Sequence, residues 1–321
     1  MILGQDKAVE AFSAAWHSQR LHHGWLLTGP KGVGKASFAR AAATRVLAEA
    51  AGPPIDLPGL ETPPDHPIAK LLAAGSHPDF RLLERLERPT GGLARNISVD
   101  QVRSLSHLLS VTPSMSPCRA IVIDAADDME ASAANALLKM LEEPPPNTLF
   151  FLVSHAPGRL LPTIRSRCRR LEFGRLEPDV MTSLLSRSDH GASSGTSGQL
   201  VEFANGSIGR ALDIAALDLA PIEQEAIAIL RQGDSDNSRR SKLASSLGPK
   251  AAADRYAAFL ELVPGLIAKE ALTLSGDARG RALVAYAEAR ETAARAPRLS
   301  LDPAATVFQM GGILASVALP R

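Results

Sequence analysis

Gly24-Trp25-Leu26-Leu27-Thr28-Gly29-Pro30-Lys31-Gly32-Val33-Gly34-Lys35 decides how this chain folds. A short apolar run feeds a Gly-rich loop, and Lys35 to Ala51 follows, rich in Ala and free of Pro and Gly, which predicts a helix. Gly29, Gly32, Gly34 and Lys35 stand at the spacing of a phosphate loop. In such a loop the glycines let backbone N–H groups cradle phosphates at a helix N-terminus, and the lysine reaches the β/γ-phosphates. The plainer alternative is an ordinary Gly-rich turn. The strand-loop-helix context favours the phosphate loop, with Gly29, Pro30, Lys31, Gly32, Val33, Gly34 and Lys35 as nucleotide-binding candidates.

The pattern repeats outward. Asp79 to Leu83 reads as a strand, and Ser98-Val99-Asp100-Gln101 is a capping-box pattern that opens a helix bearing Val102, Leu105 and Leu109. Ala120-Ile121-Val122-Ile123-Asp124 and Leu149-Phe150-Phe151-Leu152-Val153 are continuous apolar runs suited to buried parallel strands. Between them Ala131 to Glu143 is helical in composition and stops at Pro144-Pro145-Pro146. Strands separated by helices predict an α/β fold with a largely parallel sheet. Residues 52–67 hold six prolines and two glycines and read as a loop or flexible insertion. Beyond residue 173, Glu177 to Leu185 and Gln199 to Ala204 read as short helices around a Ser/Gly-rich surface loop at 188–198. From about 217 onward the pattern is helical. Tyr256, Phe259, Leu260, Val263, Leu266 and Ile267 share a face, and Ala304 to Ala318 forms a last helix.

The residue after Lys35 breaks the phosphate-loop pattern. A Ser or Thr hydroxyl belongs there to ligate Mg²⁺; Ala36 offers a methyl, and Ser37 points about 100° away on a helix. Asp124, after its strand, is the Walker B acid candidate. Asp127 stands where many P-loop ATPases carry a water-polarising glutamate and is one methylene shorter. Asp127 and Asp128 read equally well as N-terminal acids of the following helix. Arg167 could stabilise phosphoryl charge on a neighbouring subunit's nucleotide, although by spacing alone a surface ion-pair residue is the better reading. Cys168 has no histidine partner in sequence and is expected to be a small core residue. The histidines form no HxxxH or Cys/His cluster, so no metal site is expected.

A net charge of +1 lacks the basic surplus of a protein that holds nucleic acid unaided, so contact with nucleic acid is expected to be shared with partners, with Arg165, Arg167, Arg169 and Arg170 as a local basic face. Two cysteines make neither a disulfide framework nor a Cys-rich zinc site. No run approaches the ~20 apolar residues of a membrane span, and Met1 to Asp6 shows no signal-peptide pattern. No membrane association and a cytoplasmic location are the expectation.

Taken in order, Leu3-Gly4-Gln5, His23 to Lys35, Ser76-His77-Pro78-Asp79-Phe80, Ile97 to Arg103, Asn135-Ala136-Leu137-Leu138-Lys139-Met140-Leu141-Glu142-Glu143-Pro144-Pro145 and Arg165-Ser166-Arg167-Cys168 resemble the AAA+ subunits of bacterial DNA polymerase III clamp loaders. The resemblance implies a RecA-like nucleotide-binding domain over 1–173, a helical lid over 174–216 and a helical collar for oligomerisation over 217–321. Ser154 falls at the sensor-1 position.

Within that family the motor subunits keep the hydroxyl after the lysine, a Walker B glutamate and a sensor-2 arginine in a Gly-Ser-x-Arg string. Ala36, Asp127 and Gly209 replace them here. The resemblance therefore implies a non-hydrolysing stator with no ATPase or polymerase chemistry of its own, which donates Arg167 to an adjacent motor. ATP binding is expected to be weak or absent, with no Mg²⁺ in its own site. Residues 48–76 lack the four cysteines of the family's zinc module, so no zinc is expected. The implied partners are gamma or tau motor subunits and a delta subunit in a hetero-pentamer, the sliding clamp, and primed DNA through the complex. An active gamma/tau-type motor ATPase is the alternative; a small-molecule P-loop kinase gives no reason for the helical C-terminal region.

Overall fold

Five parallel strands carry the N-terminal half: β1 (Gly24–Thr28), β2 (Phe80–Glu84), β3 (Arg119–Asp124), β4 (Thr148–Ser154) and β5 (Arg169–Glu172), in the order β2-β3-β4-β1-β5. The computed structural model describes residues 2–18, 21–88, 92–187, 201 and 204–318. The predicted helix over 199–204 and surface loop over 188–198 fall outside these residues, apart from Val201 and Ala204. β1 and β4 are buried along their whole length, as strands covered on both faces must be.

Alternate residues of the central strands feed two cores. Trp25 and Leu27 of β1 and Phe151 and Val153 of β4 face one side, where Phe12, Phe38, Ala42 and Val46 meet them. Phe12 comes from α1 (Asp6–His17) and the other three from α2 (Lys35–Ala51). Phe12 stands edge-on to Trp25, ring centres 5.0 Å apart, and edge-on to Phe38 at 5.9 Å, a geometry worth about 1 kcal/mol per pair beyond simple burial. Leu26, Phe150 and Leu152 face the other side, with Ile121 and Ile123 of β3, Val102 and Leu105 of α4 (Val99–Ser110), and Leu137 and Leu141 of α5 (Ala131–Glu142). The capping box forms as expected: Gln101 N donates to Ser98 Oγ, and Ser98 N donates to Gln101 Oε1 at 3.0 Å.

Two polar knots hold the connections. Asp79, almost wholly buried, accepts from the backbone N–H of Ser114, Met115 and Ser116, which fixes the turn that delivers β3. Arg45, on α2, donates to the carbonyls of Leu57, Glu61 and Ile55 and pairs with Glu49, which also accepts from Trp16 Nε1. His66 accepts from Ile68 N and caps α3 (Pro67–Ala73); its Nε2 lies 3.3 Å from the Pro53 carbonyl. The Pro-rich stretch is thus a loop, as read, but one fastened to α2 rather than a flexible insertion. Arg45, inside an Ala-rich helix, gave no sequence signal for this.

The chain forms two compact units, the first reaching Arg210 and the second running from Ala211. The first also includes α6 (Pro162–Ser166), α7 (Pro178–Ser186) and the start of α8 (Ile208–Ala216). Among its described residues the second is helical, with α9 (Ala220–Gln232), α10 (Ser238–Leu247), α11 (Ala253–Thr273), α12 (Gly276–Leu299) and α13 (Pro303–Ala318). Phe259, Leu260, Val263, Leu266 and Ile267 of α11 are buried as predicted, while Tyr256 is half-buried. Gly311 of α13 lies against α10, where an added Cβ would come within 2.6 Å of Arg240 Cβ.

Candidate functional site

Parallel strands end on one edge of the sheet, and that edge collects Thr28, Asp124 and Ser154 beside the loop 29–34. Gly29, Gly32 and Gly34 all have positive φ, at 149°, 77° and 96°. A Cβ on Gly29 would lie 2.2 Å from the Phe173 carbonyl oxygen, so close backbone approach as well as conformation requires glycine there. Pro30 and Lys31 form the outer turn, and Val33 is buried in the core beneath.

Lys35 is buried and donates its ammonium to the carbonyls of Gly29 and Pro30. Burial pushes its pKa down to about 8, against the opposing pull of Asp124 and Asp127. Burial also raises the Asp124 pKa, with Glu84 adding to the rise and Lys35 and Arg40 opposing it. The loop offers backbone amides and an ammonium suited to phosphate. After the lysine, Ala36 is half-buried and carries only a methyl, and Ser37 is exposed.

A pH effect follows. Between pH 8 and the ordinary 10.5 the unfolded chain holds a proton on Lys35 that the folded chain has released, so stability rises with pH across that window. Below pH 8 both states are protonated and the full cost of burying the charge, about 3 kcal/mol, is present. Urea unfolding of the parent and Lys35→Met should show the parent gaining on the variant from pH 7.5 to 10. A pH-independent difference would contradict the buried ammonium.

Asp127 is held by three hydrogen-bond donors and is not an N-terminal acid of α5. It sits in a 3₁₀ turn, Ala126–Asp128, ahead of the α5 start at Ala131. Its carboxylate accepts from Ser154 Oγ at 2.8 Å and from the backbone N–H of His155 and Ala156. Asp128 pairs instead with Arg85 at 3.2 Å. Ser154, fully buried, therefore spends its hydroxyl on Asp127.

The segment 207–209 closes on the loop from its carbonyl side. Ser207 Oγ donates to Lys31 O at 2.9 Å, and Gly209 N donates to Gly32 O at 3.0 Å. A Cβ on Gly209 would stand 2.9 Å from Gly32 Cα, and one on Gly32 would stand 2.3 Å from Ser207 Oγ. Position 209 is thus packed backbone against backbone, a contact that the Gly-Ser-x-Gly string alone did not reveal.

Arg167 lies apart from all of this. It follows α6 and precedes β5, whose first residue Arg169 pairs with Trp25 near the start of β1. Its carbonyl would lie 3.1 Å from a Cβ on Gly24. The five residues of β1, rising about 16 Å in all, separate that corner from the loop. Arg167 donates to Thr163 O at 3.0 Å and pairs with Glu142 at 2.8 Å. Cys168 beside it is half-buried, and burial pushes its thiol up to about 12, out of the reactive range.

Residues 4–177 match the family model described as DNA polymerase III, delta subunit. The chain is 40% identical over 151 residues to DNA polymerase III subunit delta' of Pseudomonas aeruginosa, covering 46% of this chain and 41% of that protein. It is 32% identical over 185 residues to the delta' subunit of Bacillus subtilis, covering 58% and 52%. It is also 33% identical over 186 residues to subunit gamma/tau of Mycobacterium tuberculosis, covering 58% and 30%. The matched stretches span about half the length of these relatives or less. No helix among the described residues is long and apolar enough to cross a membrane. With more than half of its length under the family model, and with delta' subunits among its relatives, the chain belongs to the DNA polymerase III delta subunit family.

Proposed function

We propose that this chain is the non-hydrolysing delta' stator of a DNA polymerase III clamp loader, which loads the sliding clamp onto primed DNA while gamma or tau motors consume ATP. The carrying observation is the separation of Arg167 from its own phosphate loop by the length of β1. An arginine there is out of reach of its own loop, which supports its serving a nucleotide held by an adjacent subunit. The similarity to delta' proteins supports this reading, and so do three features of its own site. Ala36 gives no metal ligand, Asp127 is spent on the Ser154–Ala156 turn, and Gly209 fills the sensor-2 position with backbone.

The nucleotide site then comprises Gly29, Pro30, Lys31, Gly32, Val33, Gly34, Lys35 and Asp124, with Ser154 at sensor 1, kept as a scaffold. Lys35 and the loop amides would hold phosphate weakly without Mg²⁺. We assign 1–173 to the nucleotide-binding domain, 174–216 to the lid and 217–321 to the collar. The collar would join gamma or tau and a delta subunit in a cytoplasmic hetero-pentamer, with the clamp and DNA engaged through the complex.

The test is ATP binding and turnover by the chain alone and with a gamma or tau subunit. Alone it should turn over no ATP and bind it weakly, with calorimetric affinity changing less than about twofold between Mg²⁺ and EDTA. With the motor subunit it should co-elute and raise turnover. Tight Mg²⁺-dependent binding with turnover by the isolated chain would establish the active-motor reading instead.

A further inference from the structure

The ion pair between Arg167 and Glu142 joins residues 25 positions apart in sequence. Glu142 is the last residue of α5, where the helix dipole disfavours an acid. The adjoining helix end is itself tied down: His23 Nε2 lies 3.1 Å from the Leu141 carbonyl, and the Leu141 side chain packs toward Gly24. On the other side, Arg167 N donates to Ile164 O at 3.1 Å and its Nη1 donates to Thr163 O at 3.0 Å. A fixed helix end thus offers a carboxylate to a side chain rooted in a fixed turn.

We propose that Glu142 is the positioning residue of Arg167, holding the guanidinium extended and presented toward the neighbouring subunit's nucleotide. The inference rests on Arg167 acting in trans. The side chains are 36% and 42% exposed, so the pair is open to solvent and contributes little to folding. Its consequence is conformational. A guanidinium has five N–H donors; Thr163 O engages Nη1 and Glu142 engages Nη2, which leaves donors for an incoming phosphate. An arginine without the carboxylate would spread over its rotamers and reach the reacting geometry less often, and misplacement by about 1 Å costs on the order of 100-fold in rate.

The experiment is steady-state ATP turnover by the reconstituted complex, with the motor site beside this chain as the one active site. Glu142→Gln should lower kcat about tenfold with ATP KM unchanged, and Glu142→Asp should retain more activity than Gln. The complex should elute intact with an unchanged melting temperature. Glu142→Gln placed on Arg167→Ala should cause no further loss. Turnover at or above the parental rate in Glu142→Gln, or an added loss in the double variant, would overturn the positioning role. Arg167→Ala at the parental rate would remove the in-trans reading itself, so the two failures are told apart.

Discussion

Arg167→Ala is expected to cut ATP turnover at the adjoining motor site by on the order of 10³-fold, with the complex still assembled. An arginine supplied in trans is worth 10³–10⁵ in phosphoryl transfer because it meets charge that grows on the transferring group. The variant removes only a half-exposed side chain with one ion pair and one carbonyl contact, so stability should change by no more than about 1 kcal/mol. Arg167→Lys should restore little, since an ammonium lacks the planar fork. The measurement is single-turnover hydrolysis by a complex in which the other motor sites are disabled, alongside gel filtration. Parental turnover in an intact complex would sink the assignment of Arg167.

The central strands and the helices beside them were legible because both faces are buried. Continuous apolar runs such as 120–124 and 149–153 admit few other readings, and the capping box at Ser98 marked the start of α4. β5 was not legible: Arg169-Arg170-Leu171-Glu172 lies at a sheet edge with only Leu171 buried, so its composition reads as a basic surface. α1 passed unread as well, although Ala8, Phe12 and Ala15 follow helical spacing, since small residues weaken the pattern. At the site, the phosphate loop and the missing hydroxyl could be read directly because they are defined by adjacent residues. The Arg167–Glu142 pair, the Gly32–Gly209 contact and the Asp127 bracket are long-range, and residue type does not encode which of two acids will turn inward.

Asp127 is where that limit bears most on function, and its replacement should be felt as lost stability rather than lost chemistry. Asp127→Ala would leave the fully buried Ser154 hydroxyl and the His155 and Ala156 N–H groups without their acceptor. Asp127 is half-buried and the His155 N–H is exposed, so the loss falls chiefly on the Ser154 hydroxyl and costs about 1–2 kcal/mol, a fall of roughly 5 °C in the melting of the first unit. Asp127→Asn keeps one oxygen acceptor and should cost about half as much. Asp127→Glu restores the motor-type acid but should yield no turnover, because Ala36 still supplies no metal ligand and the longer side chain must abandon either the Ser154 turn or its own rotamer. Thermal melting and ATPase assays on the three variants decide the matter. Parental stability in Asp127→Ala would show that the bracket carries no load, and turnover in Asp127→Glu would show that a single methylene separates this site from a motor. The expected pattern, stability lost and no activity gained, fits an Asp127–Ser154 pair that holds the end of β4 against the turn after β3.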